Sequence, residues 1–213
     1  MTLEPLDRAE AVRYLGGGSR EPDERLSALL SDCEKELISA ARPKYLYKFI
    51  DLPCAELTRG EDIKAHLEGC RKAAVLCATL GAEVDRLLRV AQVTDMSRAV
   101  VLDALAGVAI EQVCGRIDEM LAEQLPELFM TFRFSPGYGD YPLETQKTIL
   151  ALLDAPRRIG LTLNESLLMI PSKSVTAVVG FSSSPLTAKK RGCASCDMRG
   201  SCKYRKQGEH CGF

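Results

Sequence analysis

Residues 133–146, RFSPGYGDYPLETQ, carry more chemical function than a connector needs. Arg133 offers a planar fork that fits a carboxylate through two parallel hydrogen bonds. Arg133 and Ser135 stand two apart at the end of a strand-like run, ELFMTFRFS, and so point the same way. Pro136 and Gly137 turn the chain and expose backbone groups, and Tyr138 adds a ring and a hydroxyl. Such a set could take a carboxylate on the arginine and a flat heterocycle on the ring. It could equally be a structural turn whose arginine meets an acid of the core.

A second constellation lies upstream. Asp103 and Glu111 interrupt the apolar run AVVLDALAGVAIEQVC, with Gly107 between them, and helical spacing puts all three on one face. A buried carboxylate needs a partner or water. This face either lines a pocket for a cationic or polar ligand, or pairs its acids with structural Arg or Lys while Gly107 admits a closely packed neighbour. A third constellation is the tail CASCDMRGSCKYRKQGEHC. Cys193 and Cys196 form a chelating pair, Cys202 and Cys211 follow at looser spacing, and His210 is an alternative fourth ligand. Four thiolates suit zinc or an iron–sulfur cluster alike.

These groups need a scaffold, and the chain has the means to build one. Its 213 residues are 46% apolar, enough to bury a sizeable core. No stretch approaches the roughly eighteen apolar residues of a membrane span, and the acidic start MTLEPLDRAE is unlike a signal peptide, so a cytoplasmic protein is expected. Cysteines in that setting are thiols or metal ligands rather than disulfides. From Lys189 to Phe213 seven Lys or Arg face two acids, a surplus of +5 that leaves −6 on residues 1–188. The shift marks a basic appendage, residues 182–213, behind a main domain of residues 1–181.

Periodicity predicts the elements. Pro22 starts a helix that buries Leu26, Leu29, Leu30, Cys33, Leu37 and Ile38 on one face. KYLYKFIDL is a strand, EDIKAHLEGC a short helix, AAVLCATLG a buried strand, and Val84, Leu87 and Leu88 mark another helix. Thr94 caps a long helix reaching about residue 123 that is apolar almost all round and hence central. In ELFMTFRFS, Met130, Phe132 and Phe134 fall on one face, with Thr131, Arg133 and Ser135 on the other. Pro142 opens a helix carrying Leu143, Ile149, Leu150 and Leu153, and strands follow near residues 167–170 and 175–181. Helices and strands mix without strict alternation, which is an α+β class. The cysteines at 33, 54, 70, 77 and 114 sit on apolar faces as core residues.

RFSPGYGDYP, then LLDAPRRIGLTLNES, then MIPSKSVTAVVG, together resemble the activation domain of cobalamin-dependent methionine synthase over about residues 95–181. The matching positions are Arg133, Pro136, Gly137 and Tyr138; Leu152 and Leu153; Gly160, Leu163, Glu165 and Ser166; Met169, Pro171, Ser174 and Val175. ALAGVAIE resembles the family helix that carries a glutamate, placed here at Glu111. The resemblance implies a mixed or antiparallel twisted sheet with a long central helix and flanking helices. It implies an S-adenosylmethionine site at Arg133, Ser135 and Glu111, shaped by Pro136, Gly137 and Tyr138, with Asp103, Gly107, Glu165 and Ser166 in support. The family's later ligand-contacting tyrosine has no counterpart in SSSPLTAKK.

The cobalamin itself is expected on a partner. The chain is too short for the homocysteine, folate and cobalamin modules, and it lacks Asp-x-His-x-x-Gly; IKAHLEG has Lys64 where the acid belongs, so His66 is an ordinary helix residue. The implied role is a stand-alone protein that serves a corrinoid-carrying methionine synthase or a related corrinoid protein. A flavodoxin- or ferredoxin-type donor would supply electrons, and the basic tail could dock either protein. The tail is then a zinc knuckle or an iron–sulfur relay. A rival reading makes the chain a basic zinc-knuckle protein that binds single-stranded RNA, but it leaves residues 95–181 unexplained.

Overall fold

In a computed structural model, residues 1–17, 21–186 and 200–201 are described. The tail cysteines 193, 196, 202 and 211, with His210, lie outside them.

Four antiparallel strands form the main sheet in the order β1-β2-β6-β3. These are β1 (Lys44–Asp51), β2 (Lys72–Thr79), β6 (Ser174–Ser182) and the short β3 (Phe129–Met130). The interior strand β2 is buried along all but its first residue, which is why AAVLCAT is apolar at every position instead of alternating. Its residues still divide by parity. Ala74, Leu76 and Ala78 enter one core, while Ala73, Val75 and Cys77 enter the other.

The first core lies under α1 (Arg8–Tyr14), α2 (Glu24–Ala40), α4 (Ala82–Thr94) and α5 (Met96–Gln124). The second lies under α3 (Glu61–His66), α6 (Thr145–Leu153) and α7 (Ala155–Ile159). A two-stranded hairpin, β4 (Thr162–Leu163) with β5 (Met169–Ile170), leads into β6. The class is α+β with an antiparallel sheet and a long helix, as the sequence implies. The seven-residue α1, five-residue α7 and two-residue β4 are too short to leave a periodic pattern.

Several local expectations shift. Asp95, not Thr94, caps α5, its carboxylate accepting from the N–H groups of Ser97 and Arg98. Thr94 instead ends α4, its hydroxyl donating to the carbonyl of Val90. Asp23 caps α2, so Pro22 precedes the helix. Cys33, Cys77 and Cys114 are buried, but Cys54 and Cys70 are only partly so. Burial pushes the Cys77 thiol up to about 12, as an inert core thiol requires.

The largest correction concerns the strand that carries Arg133. Ladder pairing with β6 holds at Phe129 and Met130, then resumes as a single bridge between Phe134 and Val178. Between Thr131, whose N–H donates to the carbonyl of Gly180, and that bridge, this segment advances three residues while β6 advances two. One residue is extra, which is a bulge. The Thr131 hydroxyl accepts from the Gly180 N–H where a ladder carbonyl would have done so. An extra residue exchanges the two faces. Met130 therefore packs in the α5-side core and Phe134 in the opposite one, rather than sharing a face.

Candidate functional site

The bulge decides where Arg133 goes. With Phe134 directed into the second core, the Arg133 side chain turns toward α5. Its Nη2 lies 2.8 Å from Glu111 Oε2, and its Nε lies 3.2 Å from Asp118 Oδ2. The arginine side chain is only 10% exposed, Asp118 is 27% exposed and Glu111 is 47% exposed. Glu111 and Asp118 are seven residues apart, two turns of the same helix face. The family resemblance places Arg133 and Glu111 in one site but does not point to Asp118, because an acid in the last turns of a helix reads as solvated surface.

The carboxylates of α5 are not buried in its apolar run. Asp103 is 65% exposed, and its Oδ1 pairs with Lys173 Nζ at 2.8 Å. The same ammonium donates to the Asp103 carbonyl at 3.1 Å. Gly107 sits beneath the ring of Tyr14, since a Cβ there would stand 3.3 Å from Tyr14 Cε2. Asp103, Gly107 and Glu111 thus form one outward stripe, roofed in turn by Lys173, Tyr14 and Arg133. Partial burial, a hydrogen bond to Glu10 and the charges of Glu10 and Glu111 push the Tyr14 phenol up to about 12. A groove of about 530 Å³ opens beside the stripe between Tyr14, Met96, Val100, Asp103 and Lys173.

The turn after Arg133 is built by its glycines and aromatics. Tyr138 N–H donates to the Ser135 carbonyl at 3.1 Å, with Pro136 and Gly137 between them. Gly137 has φ of 93°, the conformation a type II turn needs at that place. A second turn follows, closed by Tyr141 N–H on the Tyr138 carbonyl at 2.9 Å. Tyr141 is 1% exposed, and its hydroxyl donates to the Leu57 carbonyl at 2.9 Å. Tyr138 stays half exposed, edge-on to Phe134 at 5.7 Å. Ser135 is half-buried and Pro136 buried.

Asp140 answers for the second glycine of the turn. Its carboxylate accepts from the N–H groups of Glu61 at 2.7 Å and Asp62 at 3.0 Å, capping α3. Asp62 returns the contact, accepting from Asp140 N–H at 3.0 Å. The two carboxylates fold back so closely that a Cβ on Gly139 would overlap the Asp62 carboxylate, and one on Gly60 would stand 2.7 Å from Asp140 Oδ1. Both glycines also have positive φ. The α3 N–H groups hold the Asp140 carboxyl below its ordinary value. His66, at the far end of α3, is buried. Its Nε2 donates to the Phe132 carbonyl at 2.9 Å, and its ring packs on Phe132 and Phe134. It braces the segment directly before Arg133.

Glu165 and Ser166 lie at the exposed tip of the β4–β5 hairpin. The hydrogen bonding there is the hairpin's own, with Asn164 Oδ1 accepting from Leu168 N–H at 2.8 Å. Among the described residues no group of three or more His, Cys, Asp or Glu could hold a metal ion, and no helix is long and apolar enough to cross a membrane.

The arrangement has one clear chemical capacity. A shielded guanidinium and a half-exposed carboxylate face each other at the surface, and each could exchange the other for a ligand group. A zwitterionic amino acid offers the two charges required.

Comparisons with known proteins bear on this site. A family model described as vitamin B12 dependent methionine synthase, activation domain, matches residues 116–187, a stretch that includes Asp118, Arg133 and the whole turn. A crystal structure of the MetH reactivation domain bound to AdoHcy superposes with a TM-score of 0.65 at 17% identity, covering 97% of this chain and 82% of that one. At that identity the likeness speaks to the fold. No curated protein matches. The chain therefore resembles this activation domain both in sequence, over residues 116–187, and in fold, over nearly its whole length.

Proposed function

We propose that this protein binds S-adenosylmethionine at the Arg133 turn and supports reductive methylation of the cobalamin of a separate methionine synthase or related corrinoid methyltransferase. The observation that carries the reading is the Arg133–Glu111 pair, in which Arg133 stands on the bulged segment and turn that the activation-domain model matches and Glu111 on the facing helix α5. The methionine carboxylate takes the guanidinium of Arg133. Glu111, released from Arg133, meets the ammonium or sulfonium. Ser135 and Pro136 form the strand-end floor, Gly137 leaves room, and Tyr138 offers an exposed ring edge to the adenine. Asp103 and Gly107 continue the outer stripe of α5 as support, while Glu165 and Ser166 would act at the hairpin.

The partner's corrinoid accepts the methyl group once a one-electron carrier of the flavodoxin or ferredoxin type has reduced its cobalt(II), and S-adenosylhomocysteine is left behind. This chain contributes position and charge: it holds the donor by its amino-acid end with the sulfonium beside an acid. A metal at Cys193, Cys196, Cys202 and Cys211, whether zinc or iron–sulfur, remains part of the proposal for the tail.

The test is calorimetric titration of S-adenosylmethionine into the full chain and into Arg133→Ala. The expected result is saturable binding that weakens by roughly a hundredfold or more in the variant, the effect of removing a charge-assisted bidentate contact. Equal binding by both folded proteins would refute the placement.

A further inference from the structure

We infer that Asp118 is the positioning residue of this site: it pins Arg133 through Nε, so that Glu111 can leave the arginine and turn to a cationic group of the ligand. The inference rests on the reading of the site given above.

Arg133 meets Glu111 and Asp118 on different nitrogens, Glu111 at Nη2 and Asp118 at Nε. The two contacts are not equivalent. Glu111 stands on the open stripe of α5, nearly half exposed. Asp118 is the more enclosed acid. A guanidinium only 10% exposed cannot lose its sole counter-charge cheaply. A single acid could therefore not both neutralise Arg133 and serve the ligand. Two acids can divide the work. An incoming carboxylate takes the Nη edge as Glu111 swings away, while Nε stays on Asp118 and the fork keeps its direction.

Charge points the same way. Arg133, Glu111 and Asp118 together carry a formal −1. S-adenosylmethionine carries a carboxylate, an ammonium and a sulfonium, a formal +1, and its demethylated product is neutral overall. The three residues thus complement the methyl donor. Because Asp118 acts through Arg133, it serves the carboxylate that both molecules share. Glu111 serves the cationic end, where they differ.

The experiment titrates S-adenosylmethionine and S-adenosylhomocysteine into the full chain and into Asp118→Asn, Asp118→Glu, Glu111→Gln and Arg133→Ala, with a thermal melt of each. Asp118→Asn should weaken both ligands by a similar factor, roughly tenfold. Asp118→Glu, which keeps the charge, should recover part of that loss. Glu111→Gln should weaken S-adenosylmethionine more than S-adenosylhomocysteine. If Arg133→Ala loses binding while Asp118→Asn binds both ligands as the wild type does, the inference is overturned and the site stands. A folded Asp118→Glu that binds no better than Asp118→Asn also overturns it. Should Asp118→Asn fail to fold, Asp118→Ser takes its place. Undiminished binding by Arg133→Ala would instead sink the underlying reading.

Discussion

The two ends of the 133–141 turn are held in opposite ways. At the Asp140 end the partners are backbone N–H groups of α3, two glycines are required by close approach, and the neighbouring Tyr141 is sealed beneath. Nothing there can exchange without moving a helix. At the Arg133 end the arginine is paired with two side-chain carboxylates, Glu111 and Asp118, and Glu111 is nearly half exposed. The Glu111 contact is the one that a ligand could replace, with Asp118 still balancing the guanidinium. On the proposed function, the backbone-held end anchors the end whose arginine would exchange an acid for a ligand.

The sharpest attempt to break this contrast is at Gly139. An alanine there meets the Asp62 carboxylate and must also adopt a φ of 52°. We expect Gly139→Ala to destabilise by about 3 kcal/mol, the sum of overpacking and left-handed strain. Denaturant unfolding would show it as a lowered midpoint with an unchanged slope. A change below about 1 kcal/mol would mean that the turn end is as pliable as the arginine end.

Tyr141→Phe probes the same end more gently. It keeps the ring and leaves the Leu57 carbonyl without the phenol donor. About 1–2 kcal/mol should be lost in the same assay, as for other buried hydrogen bonds with one partner removed. No loss would place that carbonyl in contact with water.

Acid should loosen this end too. The α3 N–H groups hold the folded-state carboxyl of Asp140 below its ordinary value. A depressed carboxyl contributes stability that is present above the unfolded value of about 4 and is lost as pH falls through the folded value. The wild type should therefore exceed Asp140→Asn in stability at neutral pH, with the gap closing below about pH 4. A gap that persists at lower pH would separate the cap from the charge of Asp140.

How much of this was legible beforehand depends on whether a contact is local. Helix periodicity located α2, α4 and α5, and the unbroken apolar run AAVLCAT announced a strand buried on both faces. RFSPGY announced a tight turn, and its sequence carries the proline and glycine that a type II turn requires. The bulge was invisible, because it depends on how Thr131 meets Gly180 across the sheet, and strict alternation gave the wrong face for Met130. Asp118 and Asp140 were passed over for the same reason. Each is an ordinary surface acid in sequence, and only long-range packing brings one to Arg133 and the other to the α3 N-terminus. The exposure of Asp103 and Glu111 was also misjudged, since an apolar helix can still keep one narrow stripe open.

Glu111→Gln should have the smallest effect on stability, and for that reason it tests the comparison most directly. Glu111 is nearly half exposed, and pairs with an exposed partner contribute about 0–1 kcal/mol. Glutamine keeps the length and a carbonyl for Arg133 Nη2, and Asp118 still balances the guanidinium. The unfolding midpoint should therefore move less than for Tyr141→Phe, while affinity for S-adenosylmethionine falls. A loss of stability as large as that of Gly139→Ala would show that the Arg133–Glu111 pair is a fixed strut, and an arginine locked in that way could not release its acid to a ligand.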